Sequence, residues 1–483
     1  MSNIRQSTLY SASSQYIATM IGFAIVVTVA RLLTPEEIGV YVITTAIVFF
    51  ANELKSFGLG GYLVRKEKLT ELDVQQVLGL NGLICWSLAL LLVAFSFFVE
   101  QFYQHENIDN LLRLLSLTFF FTPIIGTAKA LMFRNFEFKS LFFVNILPPL
   151  LNFIITLALI LLGFSYFSMV VAILCAHVLE LLLILKLYNG KYSLKPRFSK
   201  RTDLLSFGIF VTFTNLCRRM SISVIDLIIG KQGSLSQVSQ FSRGTGFLEF
   251  TTGILTKGIR PVVTPYLAKE KRQAGNVENA YIKVQEIMAS MLVPCLLVCG
   301  LASYSLILLV FGEQWLEAVT FIQYLVFWAI FRNFHIFSPS LFITQGFEKL
   351  LFLKELTILS ITTIAVFFGF QQGLIYVAKL LALIGIVDYL LTSLMLWKIL
   401  NIALLKLAIS LLKIIAISTI CALGCYIVSL YLPFESTNPL LVLISLMIVL
   451  IPLWLLSLKL FKSPLFDECR LLFKKITAKL GNK

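Results

Sequence analysis

Arg218 and Arg219 sit side by side near the middle of an apolar stretch that runs from Leu204 to Gly230. A membrane span needs about 20 mostly apolar residues. One arginine at the centre of such a span costs roughly 2.5–3.5 kcal/mol on insertion scales. Two adjacent arginines are hard to explain unless they face water, a partner or a ligand. Thr212, Asn215, Arg219, Ser223 and Asp226 follow three-and-four spacing, which puts them on one helix face. Guanidinium groups match phosphate oxygens in a bidentate way. The face therefore reads as the lining of a polar cavity inside a membrane protein, with a lipid diphosphate headgroup as a fitting ligand.

Other ionisable residues fall inside apolar stretches, where function is the default reading. The cations are Lys55, Lys129, Arg243 and Arg332, and the carboxylates are Glu53, Glu180, Asp226, Glu249 and Asp388. Arg218, Arg219 and Arg243, with Asn215 and Lys55, are the substrate-binding candidates. Asp226, Glu249 and Asp388 are candidates for coupling to H+ or Na+. Lys129, Glu180 and Arg332 read as structural ion-pair members. The eight cysteines sit mostly in apolar stretches, and the three histidines, His105, His177 and His335, are far apart in sequence. With no CxxC and no Cys/His cluster, no metal site and no cofactor are expected.

The elements that must position these groups are membrane helices. Of the 483 residues, 58% are hydrophobic and only 13% are charged, so the solvent is lipid. The net charge of +15 then reports topology rather than nucleic-acid binding. Windows of about 20 residues give about 14 spans, an all-α polytopic chain. They lie near 10–32, 38–61, 77–100, 111–132, 140–162, 165–187, 204–230, 236–257, 285–311, 318–344, 350–370, 374–397, 407–431 and 439–461. Pro148 and Pro149 remove two backbone donors and predict a kink or break in the fifth span. The eighth span is polar, with Ser236, Gln240, Ser242, Arg243, Thr245 and Glu249.

The connections alternate in charge. Even-numbered ones are basic: Arg65, Lys66 and Lys68; Arg134 and Lys139; Lys191, Lys195, Arg197, Lys200 and Arg201; Arg260, Lys269, Lys271 and Arg272; Lys349 and Lys354; Lys398 and Lys406. The tail adds Lys462, Arg470, Lys474, Lys475, Lys479 and Lys483. Odd connections are nearly free of Lys and Arg, with Lys231 the clear exception. The positive-inside rule places both termini in the cytoplasm.

The basic loop near 186–201 divides twelve helices into six and six. The expected organisation is an N-terminal six-helix lobe over 1–200, a second over 201–400, and two further helices with a basic tail over 401–483. An even number of helices per half makes the lobes parallel, and a site between them suits alternating access. Ala30-Arg31-Leu32 and Gly230-Lys231-Gln232 occupy equivalent turns of the two halves.

Several stretches carry a family resemblance. The turn Ala30-Arg31-Leu32-Leu33-Thr34-Pro35-Glu36-Glu37-Ile38-Gly39 resembles that of the lipopolysaccharide and polysaccharide exporters related to the colanic acid exporter. Phe57-Gly58-Leu59-Gly60 with Val64-Arg65-Lys66 looks like the family's second-span ending. Arg134-Asn135-Phe136-Glu137-Phe138-Lys139 resembles its basic fourth connection. Phe241-Ser242-Arg243-Gly244 is similar to its tyrosine–Ser/Asn–Arg–Ala/Gly element, with Phe241 in place of the common tyrosine. The resemblance implies a flippase of the multidrug/oligosaccharidyl-lipid/polysaccharide exporter superfamily. Such proteins are bacterial inner-membrane carriers that move undecaprenyl-diphosphate-linked oligosaccharides to the periplasmic leaflet. It implies Arg243 as the motif arginine, Arg218 and Arg219 as basic residues of the seventh span, and a surface-polysaccharide polymerase and chain-length regulator as partners.

Two other classes compete. A related multidrug antiporter handles mainly cationic drugs, for which carboxylates should dominate the cavity, whereas the span charges here lean cationic. A membrane polymerase or glycosyltransferase usually needs a sizeable external loop with catalytic residues. The longest external connection is about 10 residues, and no triad order, P-loop or metal motif appears.

Overall fold

A chain whose solvent is lipid must satisfy its backbone polar groups internally. Every regular element among the described residues is helical. The computed structural model describes residues 2–55, 59–188, 192–197, 209–257, 259–273, 275–435 and 437–471. Phe57, Gly58, Lys191, Lys200, Arg201, residues 204–208 and the tail lysines Lys474, Lys475, Lys479 and Lys483 lie outside them. Twelve of the expected stretches are helices long and apolar enough to cross a membrane. The seventh and eighth are helices of 24 and 23 residues, long enough to cross but more polar. The chain divides into two compact units, Met1–Ser239 and Gln240–Lys483.

The first unit contains α1 (Ser2–Leu32), α2 (Pro35–Leu54), α3 (Leu59–Arg65), α4 (Glu71–Tyr103), α5 (Ile108–Ser116), α6 (Thr118–Arg134), α7 (Phe138–Leu161), α8 (Phe167–Leu187) and α9 (Ile209–Gln232). Helix α10 (Leu235–Lys257) begins in this unit and continues into the second. Local chemistry sets the helix starts. At α2 the Thr34 hydroxyl accepts from the Glu37 amide and the Glu37 carboxylate accepts from the Thr34 amide, with Pro35 at the first helical position. Thr70 and Asp73 form the same reciprocal cap on α4. Ser234 and Gln237 repeat it on α10, at 3.0 and 3.2 Å. The echo between the two halves thus extends from the turn residues to their hydrogen bonds.

Packing in this unit pairs α1 with α7, α7 with α8, α9 with α2, and α4 with α5 and α6. Helix α7 runs unbroken through Pro148 and Pro149, packed on α1 and α8, so of the expected kink or break the break does not occur. Gly39 allows the first turn of α10 to approach α2. A Cβ there would lie 2.8 Å from the Leu235 Cβ and nearer still to its carbonyl. Arg134 donates to the carbonyls of Leu63, Val64, Lys66 and Glu67 at 2.6–3.1 Å, closing the end of α3. The described part of the boundary loop lies on the start of α4: Arg197 N donates to Gln75 O at 2.9 Å and the Tyr192 hydroxyl to Leu69 O at 3.2 Å. The one lysine that breaks the charge alternation has a structural use. Lys231 donates to the Phe102 carbonyl at the end of α4 and stands 4.3 Å over the Phe102 ring.

The second unit holds the rest of α10, then α11 (Arg260–Arg272), α12 (Val277–Leu301), α13 (Ser303–Val310), α14 (Glu317–Phe334), α15 (Ser338–Gln345), α16 (Glu348–Gly369), α17 (Leu374–Leu400), α18 (Leu404–Tyr431) and α19 (Pro439–Leu460). The ninth span starts earlier than the hydropathy window, because Asn276 caps it by accepting from Asn279 N at 2.8 Å. Helices α14 and α17 pack closely, as do α12 and α18, and α18 and α19. His335 is buried in this core. Its ring nitrogens bond the Tyr281 hydroxyl at 3.0 Å and the Ser393 hydroxyl at 2.9 Å, and its ring stacks on Tyr389 at 5.0 Å.

Candidate functional site

Helix α9 presents two unlike faces. Leu216, Cys217, Ser221, Ile225 and Ile229 are buried, as expected of the side that packs on α2. Asn215 and Arg219 are exposed, while Arg218, Ser223 and Asp226 are half-buried. Thr212, expected on the open face, is buried. Asp226 is seven residues past Arg219, about 10 Å along the axis, so the two share a face without bonding.

The Arg219 side chain is 63% exposed, and its Nε lies 3.6 Å from Glu53 Oε1 at the end of α2. That separation exceeds the 2.7–2.9 Å of a strong charge-assisted hydrogen bond. Lys55, two residues beyond Glu53, holds the C-cap of α2, and its ammonium stands 5.2 Å over the buried Phe119 ring. Lys129 on α6 and Glu180 on α8 form an ion pair, the structural role expected of them. The first unit thus has Asn215, Arg218 and Arg219 on one helix, with Glu53 beside Arg219.

In the second unit, Arg243 is half-buried on α10. Its guanidinium carbon lies 4.9 Å from the Trp315 ring centroid and 5.6 Å from that of Phe311. Phe241 is fully buried, with its ring 5.5 Å from that of Phe321, so the position of the usual tyrosine is a packing position here. Glu249 is half-buried two turns further along α10. Asp388 on α17 is buried and ion-paired with Lys354 on α16, which also bonds Glu355 at 3.0 Å. Arg332 stands 4.9 Å over the Trp328 ring. Among the described residues no three His, Cys, Asp or Glu side chains gather as a metal site.

Three participants escaped the sequence reading. Glu53 was visible as a span carboxylate, but not as the neighbour of Arg219. Lys354 reads from sequence as a residue of a basic connection, yet it is 8% exposed inside α16. Trp315 gave no signal, since one aromatic at a span edge is commonplace in membrane proteins.

Comparison with known proteins adds an independent line. The family described as "Polysaccharide biosynthesis protein" matches residues 28–320. The teichuronic acid biosynthesis protein TuaB of Bacillus subtilis (strain 168) is 24% identical over 348 residues, 71% of this chain and 71% of that protein. The lipopolysaccharide biosynthesis protein WzxC of Escherichia coli (strain K12) is 22% identical over 345 residues, 68% of each chain. Among solved structures, the lipid II flippase MurJ in an inward closed conformation superposes with a TM-score of 0.74 at 16% identity, covering 94% of this chain and 98% of that one. At that identity the likeness speaks to the fold.

Proposed function

Because this chain belongs to the polysaccharide biosynthesis protein family, we propose that it is a flippase for undecaprenyl-diphosphate-linked oligosaccharide. It is a multi-pass membrane transporter, not an enzyme. It works by alternating access in the bacterial inner membrane, with both termini in the cytoplasm, and carries the headgroup to the periplasmic leaflet for O-antigen, capsule or exopolysaccharide assembly. A polymerase and a chain-length regulator take the product onward.

The observation that carries this reading is the Arg219 side chain, 63% exposed in the middle of a membrane-length helix, beside Arg218 and Asn215. An intramembrane cation held in the open suits an anionic cargo. A diphosphate gives paired oxygens for guanidinium forks, and the polyprenyl tail remains in lipid. Arg243, with Lys55, serves the same ligand class. Asp226, Glu249 and Asp388 are the groups to examine for H+ or Na+ coupling; Asp388 already has Lys354 as counter-ion.

The test is replacement of Arg218 and Arg219 by Ala, singly and together, with membrane levels checked by immunoblot and surface polysaccharide measured. Loss of polysaccharide at normal protein levels is expected. Full export by the double variant overturns the assignment of this helix.

A further inference from the structure

Arg243 lies over two aromatic rings, those of Trp315 and Phe311. Trp315 and Phe311 are 0% and 2% exposed, so the rings are fixed by packing. Trp315 ends a single 3-10 turn, Glu313–Trp315, that connects α13 to α14. Gly312 makes the turn possible, with a φ of 101° that side-chain-bearing residues rarely adopt.

The turn is fastened to α10 before Arg243, and α14 packs against α10 after it. One turn before, Gln240 Nε2 donates to the Gln314 carbonyl at 2.6 Å. One residue after, Gly244 lies so close to α14 that a Cβ would meet Ile322 at 3.3 Å and Leu325 at 3.4 Å. The indole face is therefore held against the guanidinium from a separate element.

A ring face attracts a cation through its quadrupole. It takes none of the five in-plane N–H donors and leaves the charge in place. A carboxylate does the opposite, and repels an incoming phosphate. A packed ring face beside the guanidinium thus restrains it.

We propose that Trp315 is a positioning residue that holds the Arg243 guanidinium by its face so that its N–H edge meets the diphosphate of the cargo lipid. The ligand in this statement rests on the function proposed above; the arrangement of Trp315, Phe311 and Arg243 does not.

The test uses the full-length protein in lipid nanodiscs with undecaprenyl diphosphate as the probe. Four proteins are compared with wild type: Arg243→Ala, Trp315→Leu, Trp315→Phe, and Arg243→Ala combined with Trp315→Leu. Thermal unfolding is followed in parallel, and Phe311→Leu replaces Trp315→Leu if the latter does not fold. Trp315→Leu should weaken binding about tenfold, and Trp315→Phe, which keeps a π face, no more than about threefold. The double variant should bind no worse than Arg243→Ala alone, since Trp315 acts through the arginine. Equal loss in the Leu and Phe variants makes Trp315 a packing residue and overturns the proposal. So does a further loss in the double variant. If Arg243→Ala weakens binding while Trp315→Leu does not, only the positioning role fails. If neither variant changes binding, the diphosphate reading of Arg243 fails, and this role with it.

Discussion

Glu53 faces Arg219 across 3.6 Å, from the end of α2 to the middle of α9. The pair is open to solvent on the arginine side and loose in geometry, so it contributes at most about 1 kcal/mol to stability. Its effect on a ligand is the larger one, because a phosphate must compete with the carboxylate. Glu53→Gln should leave thermal unfolding nearly unchanged and strengthen binding of undecaprenyl diphosphate a few-fold. Binding that falls as far as in Arg219→Ala makes Glu53 a ligand contact itself.

The close approach of Gly39 to Leu235 gives a second prediction. A valine at position 39 would crowd both the Leu235 side chain and its backbone carbonyl. Overpacking of this kind costs about 1–3 kcal/mol. Leu235→Ala should recover only part of it, because the carbonyl remains. Unfolding midpoints of the two single variants and the double variant read this directly. A Gly39→Val protein as stable as wild type means that the approach is not a fixed contact.

The two capped turns allow a comparison within one chain. Thr34→Ala and Ser234→Ala each remove one cap acceptor, and each should cost about 1 kcal/mol. Equal shifts in unfolding midpoint indicate that the two turns are energetically as well as geometrically alike. A shift near zero for Ser234→Ala alone shows that Gln237 suffices to hold the start of α10.

Much of this fold is legible because lipid imposes long apolar runs and the basic connections mark every second turn. The motif Thr34-Pro35-Glu36-Glu37 even announces its capping box, since both partners lie within four residues. The site is legible only on one helix. Asn215, Arg218 and Arg219 declare themselves by being wrong for a membrane span. Glu53 beside Arg219 does not, because it comes from a distant part of the chain and only folding brings it near; the same holds for Trp315 beside Arg243 and for Lys354 beside Asp388. Lys354 shows the limit well. Its sequence neighbours Leu350, Leu351, Phe352 and Leu353 are apolar and open the eleventh span, yet beside Lys349 it counts as one more basic residue of the connection.

Arg134 separates two roles that the sequence merges. As a basic residue in the fourth connection it contributes to topology. As a fork it binds four carbonyls at the end of α3. Arg134→Lys keeps the charge but not the fork. Reporter fusions after residues 104 and 136 should show unchanged orientation, while the unfolding free energy falls by about 1–3 kcal/mol. Inverted orientation at normal stability reverses the assignment.

Lys354, Glu355 and Asp388 set up the sharpest stability test. All three are buried, with one ammonium serving two carboxylates. Lys354→Met removes the cation that these two carboxylates share. Breaking a buried pair from one side costs about 3–5 kcal/mol, whereas replacing both partners with apolar groups is often close to neutral. Lys354→Met should therefore unfold at a much lower temperature, and Lys354→Met with Asp388→Leu should recover part of the loss, since Glu355 stays buried without its lysine. The same double variant bears on ion coupling, because it regains stability without restoring the Asp388 carboxylate. If it is stable and exports polysaccharide at the wild-type rate, Asp388 is a structural counter-ion to Lys354. If it is stable and exports nothing, Asp388 takes part in the transport cycle.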